Sequence, residues 1–275
     1  MTQDVVRHVR PRPGPGTVIE VTPESVGWRY LSFEVVALAP GEAVERHSGG
    51  QEIAIVPLAG SGWFGFGGRQ HPVSRKDVFS EKPHVAYLPP GTVFSIRAVS
   101  AFEVAIGSAP ASSRHPARLY APGELPGFVR GGANVSRGVT ATLDPTFPSE
   151  RLIAYEILTP SGNWSSFPPH RHDGRFGTSY HEETYYFRLS PADGFALQRI
   201  YTRDTDLDVS ISAADGDLVL VHEGYHTVAT APGTNAYYLN FLAGDTKPVT
   251  QLNDPAYAWI VDDWAGRPIA IPLEP

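Results

Sequence analysis

The sequence predicts an all-β chain folded as two jelly-roll domains of barrel or sandwich type. Three observations predict it: an abundance of helix-breaking residues, a series of short apolar runs bounded by turns, and landmarks that recur in the same order in both halves. The chain has 275 residues, of which 27 are Gly and 26 are Pro. Proline is costly inside a helix or a central strand, so so many of these residues require short elements joined by turns. Runs such as "EIAIVPLAG", "HVAYLPPGTVFSIRAV", "LVLVHEGYH" and "AYYLNFLAG" are rich in β-branched and aromatic residues and end at Gly or Pro, which is the pattern of strands. No long stretch carries a 3.6-residue apolar period.

The repeat is read from two landmarks. "QEIAIVPLAGSG" and "EETYYFRLSPADG" each open an apolar strand with Glu. "VAYLPPGTVFSI" and "LVLVHEGYHTVA" each run a strand into a Gly turn. Matching Glu52 to Glu183 gives 183 − 52 = 131, and matching Gly91 to Gly224 gives 224 − 91 = 133. Near-equal offsets point to an internal duplication. Between the halves, Arg114 to Gly138 is rich in Gly, Pro and polar residues and reads as a connector. The expected domains are residues 1–125, without a metal site, and 126–275, with one. "GSGWFG" (Gly60 to Gly65) matches a dinucleotide fingerprint in letters, but "WFGFGGRQHPV" is not the helix that must receive the pyrophosphate. Its glycines are expected in a hairpin or bulge.

The formal net charge is −7 with no basic block, which argues against a nucleic-acid partner. No apolar run approaches the roughly 20 residues that span a bilayer. With no cysteine and no apolar leader at the N-terminus, a cytoplasmic protein is expected, and disulfide and thiolate chemistry are excluded. The tail "AYAWIVDDWAGRPIAIPLEP" offers Trp259 and Trp264 for burial, so a homo-oligomer is expected.

The chemistry concentrates in "FPPHRHDGRFGTSYHEETYYFRL". On a strand, His170 and His172 project to the same face. In the strand after His181, Glu183 shares a face with Tyr185, Phe187 and Leu189 and is expected inside, whereas Glu182 is expected to face solvent or a neighbouring subunit. "VHEGYH" adds His222 and His226 around Gly224, of which His226 is the better placed for a fourth ligand. Three imidazoles and one carboxylate suit Zn²⁺, Mn²⁺, Fe²⁺ or Ni²⁺ rather than Ca²⁺ or Mg²⁺. His181 shares the face of Glu183 and is a candidate for proton transfer. In the first half no His-x-His precedes Glu52, and Val93 stands where His226 would be, so that copy is expected to be structural.

The pattern "PPHRHD…EETYYFRL…GDLVLVHEGYH" resembles the two motifs of the cupin superfamily. With "GFALQRIYT" and "AYYLNFLAG" it is most similar to the 5-deoxy-glucuronate isomerases of inositol catabolism, with the 5-keto-4-deoxyuronate isomerases as relatives. The resemblance implies a bicupin fold and a metal held by His170, His172, Glu183 and His226. It implies conversion of 5-deoxy-D-glucuronate to 5-dehydro-2-deoxy-D-gluconate, an aldose–ketose isomerisation of a small sugar acid. No redox change occurs, so Zn²⁺ suffices, with Mn²⁺ or Fe²⁺ as alternatives. Tyr238, Tyr185 and His181 are the candidates for moving the proton. Arg199 is the candidate grip for the substrate carboxylate, and Gln198 and Asn240 for its hydroxyls. A cupin dioxygenase using Fe²⁺ and a non-enzymatic sugar-binding bicupin are the competing readings.

Overall fold

A computed structural model of the chain describes residues 7–113 and 115–268. Arg114, in the expected connector, and residues 269–275 of the apolar tail lie outside the described residues. Nearly all regular structure is strand, and the two α-helices among the described residues, Pro23–Val26 and Ile260–Asp263, have four residues each.

The strand order repeats. Ser32–Leu38, Ala43–His47, Gln51–Phe66, Val85–Leu88, Val93–Ala98 and Phe102–Pro110 build the first half. Ile153–Thr159, Trp164–Arg171, His181–Ser190 with Ala196–Tyr201, Leu218–Val221, Tyr225–Thr230 and Asn235–Gly244 retrace that path in the second. The second half sets a seven-stranded sheet against a five-stranded one. Alternation along each strand sends one set of side chains into the space between them: Tyr185, Phe187, Leu189, Ile200, Val228 and Tyr238. The first half fills its own interior with aliphatic and Phe side chains such as Ile53, Phe64, Phe94 and Ile106.

A third core joins the halves. Phe33, Val56 and Tyr87 from the first large sheet pack with Tyr186, Tyr237, Leu239 and Phe241 from the second. Contact is close enough at Gly107 that an added Cβ would lie 2.4 Å from the Phe241 ring, so only glycine fits there. Chain exchange reinforces the join. The strand His8–Val9 pairs with Leu218–Val221 of the second half, while Arg118–Tyr120 pairs with Val85–Leu88 of the first and Gly127–Arg130 with Arg137–Leu143 of the second. The sheets thus change over between Tyr120 and Gly127, but the N-terminal strand of the chain belongs to the sheet of the second half.

Two expectations are corrected by strand register. Glu52 lies opposite Ala109 and Ile53 opposite Leu88; Glu182 lies opposite Ala243 and Glu183 opposite Val221. The partner of Glu52 in the repeat is therefore Glu182, at 182 − 52 = 130, and Ile53 holds the position of Glu183. Glu182 also does not face solvent: it is fully buried. Its carboxylate accepts the backbone N–H groups of Arg29, Tyr30 and Leu31 at 2.6–3.0 Å and the Tyr180 hydroxyl at 2.9 Å. Glu52, equally buried, accepts the N–H groups of Arg151, Glu150 and Leu152 at 2.6–2.8 Å and the Tyr87 hydroxyl at 2.9 Å. Each half thus extends one carboxylate to order three consecutive amides of the other. A face assignment from polarity fails here because a buried carboxylate is tolerated once backbone donors satisfy it.

The "GSGWFG" segment lies inside the strand Gln51–Phe66, which passes from one sheet into the next just after a register shift between Pro57 and Ala59. Gly60, at φ +94°, and Gly62 come so near the carbonyl oxygens of Ala101 and Arg97 that a Cβ would lie 1.9 and 2.3 Å from them. Close backbone approach, not phosphate binding, requires these glycines.

Candidate metal centre

Three strands of the second half bring the histidines and Glu183 together. His170 is the next-to-last residue of the strand Trp164–Arg171, with His172 just beyond its end, and His226 lies directly opposite His170 in Tyr225–Thr230. Glu183 projects from His181–Ser190 on the facing sheet. One ring nitrogen from each of His170, His172 and His226 lies within 4.8 Å of the other two. Glu183 Oε2 is 2.9 Å from His172 Nε2 and 3.1 Å from His226 Nε2.

The outer faces of the rings fix their tautomers. Nδ1 of His172 faces the carbonyl oxygen of His181 at 3.1 Å, Nδ1 of His170 faces that of Pro168 at 3.2 Å, and Nδ1 of His226 faces that of Gly224 at 3.4 Å. A carbonyl can only accept, so each Nδ1 carries hydrogen and each Nε2 faces inward, where that of His172 meets Glu183 Oε2 at 2.9 Å. This is how proteins orient imidazoles around a metal. His226 Nε2 is buried and makes no hydrogen bond despite its nearness to Glu183. An orphaned, inward-facing nitrogen beside a carboxylate is a group waiting for a cation.

Electrostatics agree. Burial, with His226 and His172 alongside, pushes His170 down to about 3, so its lone pair is free at neutral pH. Burial acts the same way on His172, but the hydrogen bond and charge of Glu183 outweigh it and raise its pKa. Those same histidines, acting against burial, hold Glu183 well below the usual carboxylate range. A divalent cation where these groups meet would take the place of the shared proton. The donor set, three imidazoles and one carboxylate, fits a transition-type metal.

The turn that returns His226 is built for the purpose. Gly224 has φ +83°, and a Cβ there would lie 2.5 Å from the Tyr201 carbonyl oxygen. Its N–H donates to Asp173 Oδ2 at 2.8 Å, tying the His226 turn to the residue after His172. Asp173 is gripped in turn by Arg171, which also bonds Asp204.

A cavity of about 270 Å³ opens onto the ligands. Tyr185, Tyr238, Asn240 and Ser166 line it. Ser166 Oγ lies 3.0 Å from the Tyr185 hydroxyl and 3.3 Å from that of Tyr238. It holds φ +49°, a left-handed conformation that non-glycine residues adopt at a cost and that concentrates at functional sites. Burial, with the charge of Glu183 adding to it, raises Tyr185 far above the ordinary phenol; burial raises Tyr238 as well. Both hydroxyls keep their protons at neutral pH. Asn240 donates through Nδ2 to the Thr184 carbonyl oxygen at 2.9 Å.

The other candidates sit elsewhere. His181 is buried behind His172, with ring centroids 6.1 Å apart, and burial together with His172 pushes it down to about 4. It does not line the cavity. His222 is 3.0 Å from the Val26 carbonyl oxygen and packs on Trp28, so it anchors the N-terminal segment. Gln198 is fully buried and does not line the cavity, and both its amide atoms are without a partner among the described residues. Arg199, its neighbour on the strand, must point the opposite way. It pairs with Asp208 at 2.7 and 2.8 Å on the outer face of the five-stranded sheet, along a groove lined by Trp164, Tyr201, Trp259 and Trp264. Arg199 is therefore not positioned to grip a ligand at the metal cavity. The cationic wall of the cavity is Arg137 and Arg130. Both fall within or beside the stretch read as a connector, where polarity and Gly/Pro content concealed two paired strands. Ser166 carried no signal in the sequence, since left-handed backbone at a serine follows from the packing around it.

Comparison with known proteins places this arrangement. The sequence profile of the KduI/IolB family matches residues 6–260. A protein of Geobacillus kaustophilus named 5-deoxy-glucuronate isomerase is 40% identical over 258 residues, covering 90% of this chain and 91% of its own. One of Bacillus subtilis strain 168 with the same name is 35% identical over 261 residues, covering 90% and 94%. Among solved structures, an IolB-like protein from Salmonella typhimurium LT2 superimposes with a TM-score of 0.90 at 32% identity, over 93% of this chain and 99% of that one. Oxalate decarboxylase of Bacillus subtilis superimposes with a TM-score of 0.62 at 14% identity, covering 92% and 79%, a likeness of the cupin fold alone.

Proposed function

This chain belongs to the KduI/IolB family and is an isomerase, and we propose that it is metal-dependent and converts 5-deoxy-D-glucuronate to 5-dehydro-2-deoxy-D-gluconate. The single observation that carries the metal dependence is the convergence of three Nδ1-anchored histidines with Glu183 around one point. The substrate follows from the names of relatives that share most of the chain.

An aldose–ketose isomerisation removes a proton from C2 and delivers one to C1, while the oxygen at C1 gains hydrogen and that at C2 loses it. His170, His172, Glu183 and His226 would hold the cation, Zn²⁺ first and Mn²⁺ or Fe²⁺ as alternatives. Bound there, it would supply Lewis-acid polarisation of the substrate carbonyl. Tyr185 and Tyr238 stand beside it with protonated hydroxyls linked through Ser166. Groups held protonated by burial serve as hydrogen-bond donors and acids toward a substrate oxygen, and we assign them that role. Asn240 positions a hydroxyl. His181, buried behind a ligand, orients His172 through its backbone carbonyl.

The test is turnover after metal removal. Protein stripped with chelator and reloaded anaerobically with Zn²⁺, Mn²⁺ or Fe²⁺ should form the ketose from 5-deoxy-D-glucuronate in D₂O, followed by NMR. Activity that persists without metal, or no ketose with any metal, would overturn the proposal.

A further inference from the structure

Three arginines are buried among the described residues, and they differ in what answers their charge. Arg75 grips Glu156 through two hydrogen bonds of 2.6 and 2.9 Å. Arg171 pairs with Asp173 and Asp204. Arg137 is only 8% exposed, yet its titratable neighbours are Tyr238, Tyr185 and a second cation, Arg130. It forms no ion pair among the described residues, and its one hydrogen bond runs from Nη1 to the Val135 carbonyl oxygen at 2.9 Å. Buried arginine is ordinarily paired, because removing a cation from water without a counter-ion is costly.

The surroundings preserve this imbalance. Arg130 lies directly opposite Arg137 across the antiparallel pair Gly127–Arg130 and Arg137–Leu143, where like charges repel. Both line the cavity that holds His170, His172 and Glu183. The backbone closes around the guanidinium. At Gly131, φ +88°, a Cβ would lie 2.8 Å from Arg137 Nη1 and 2.3 Å from the Val135 carbonyl oxygen. Two cations line the wall of one cavity, one of them buried and held by a fitted loop, and no carboxylate among the described residues pairs with the buried one, which suits the site to an anionic ligand.

We propose that Arg137 binds the carboxylate of a sugar-acid ligand, with Arg130 at the rim adding attraction, so that the opposite end of the sugar is presented to the metal centre. The assignment rests on the sugar-acid reading above. A planar guanidinium with unused N–H groups can take a carboxylate through two parallel hydrogen bonds, which fixes the ligand's direction as well as its charge. The subsite would distinguish a uronate from the neutral sugar of the same length, because only the former neutralises the buried cation.

The test measures binding and turnover side by side in metal-loaded protein. D-glucuronate is titrated calorimetrically against wild type, Arg137→Met, Arg137→Lys and Arg130→Gln, with D-glucose as the neutral control and metal content and melting temperature recorded for each. Wild type should bind glucuronate more tightly than glucose. Arg137→Met should lose at least about tenfold in glucuronate affinity, with metal content unchanged. Arg137→Lys should fall between the two, and Arg130→Gln should lose roughly two- to threefold. If Arg137→Met fails to fold, Arg137→Lys decides, since it keeps the charge and loses only the paired geometry. Equal wild-type affinity for glucuronate and glucose, or undiminished glucuronate binding by a folded Arg137 variant, would overturn the assignment. Arg137-dependent binding without turnover of 5-deoxy-D-glucuronate would sink the proposed reaction and leave the subsite standing. Normal turnover with an unchanged KM in Arg137→Met would do the reverse.

Discussion

The two halves follow the same strand path and carry the same buried glutamate, yet among the described residues only the second gathers a group that could hold a metal. Register shows what separates them. His47 lies opposite Val93 as His170 lies opposite His226, and Ile53 stands where Glu183 does. One imidazole therefore survives in the first half, exposed at the surface, with its Nδ1 accepting the Gly49 N–H at 2.9 Å. The remaining interior is aliphatic and Phe side chains. What both halves retain is the carboxylate that orders three amides of the other half. Glu52 and Glu182 tie the duplicated halves together; the proposed metal site draws on Glu183, one residue further along.

The comparison can be broken most severely at the ligands. His226→Ala should remove metal and lower turnover by roughly a thousandfold or more, since the proposed cation would supply several kcal/mol of charge stabilisation. His47→Ala, at the first-half position that matches His170, should leave metal content and rate as they were. Equal losses from both would mean that the halves share function. Metal analysis and initial rates decide.

Exchanging the interior residues is the next largest effect. Ile53→Glu places a carboxylate in an apolar interior with no histidine partner and should destabilise the protein by about 3–5 kcal/mol. Glu183→Ile should keep the fold, since it relieves a buried charge, while abolishing metal uptake. Calorimetric unfolding of the two variants should therefore move in opposite directions from their metal contents. A stable Ile53→Glu protein would show that the first barrel is wetter than its packing implies.

The clamp glutamates should respond alike. Glu182→Gln and Glu52→Gln each leave a buried amide without its charged acceptor, at a cost of about 1–3 kcal/mol in denaturant unfolding. Metal content should be retained in both. Loss of metal in Glu182→Gln alone would mean that the clamp also positions Glu183. The smallest effect is expected at Arg199, paired with Asp208 on the outer face. Arg199→Ala should leave KM for 5-deoxy-D-glucuronate unchanged within about twofold, because a solvent-exposed ion pair contributes little.

Much of this is legible in the sequence. Strand content follows from Gly, Pro and β-branched composition because these act through local backbone sterics. The inward direction of Glu183 follows from alternation with Tyr185, Phe187 and Leu189. Alternation misplaced Glu182 because it assumes that a polar face meets water, whereas this face meets the amides of Arg29, Tyr30 and Leu31 from a segment 151 to 153 residues away. It could not choose between Gln198 and Arg199, since neighbours on a strand take opposite faces and only the closed sheets say which is inside. Arg137 was hidden for a related reason: its significance lies in being buried with no carboxylate partner among the described residues, and a missing partner has no letter.

By itself, then, the sequence determined the all-β class, the duplication and the histidine- and glutamate-bearing strands, all of which arise from short-range periodicity and backbone preference. Tertiary structure alone decided that Glu182 is buried as a clamp, where the cationic wall lies, and which carbonyl each histidine Nδ1 meets. Those outcomes depend on burial and on partners brought together from distant parts of the chain, and the energy of a charge is set by what surrounds it rather than by what precedes it.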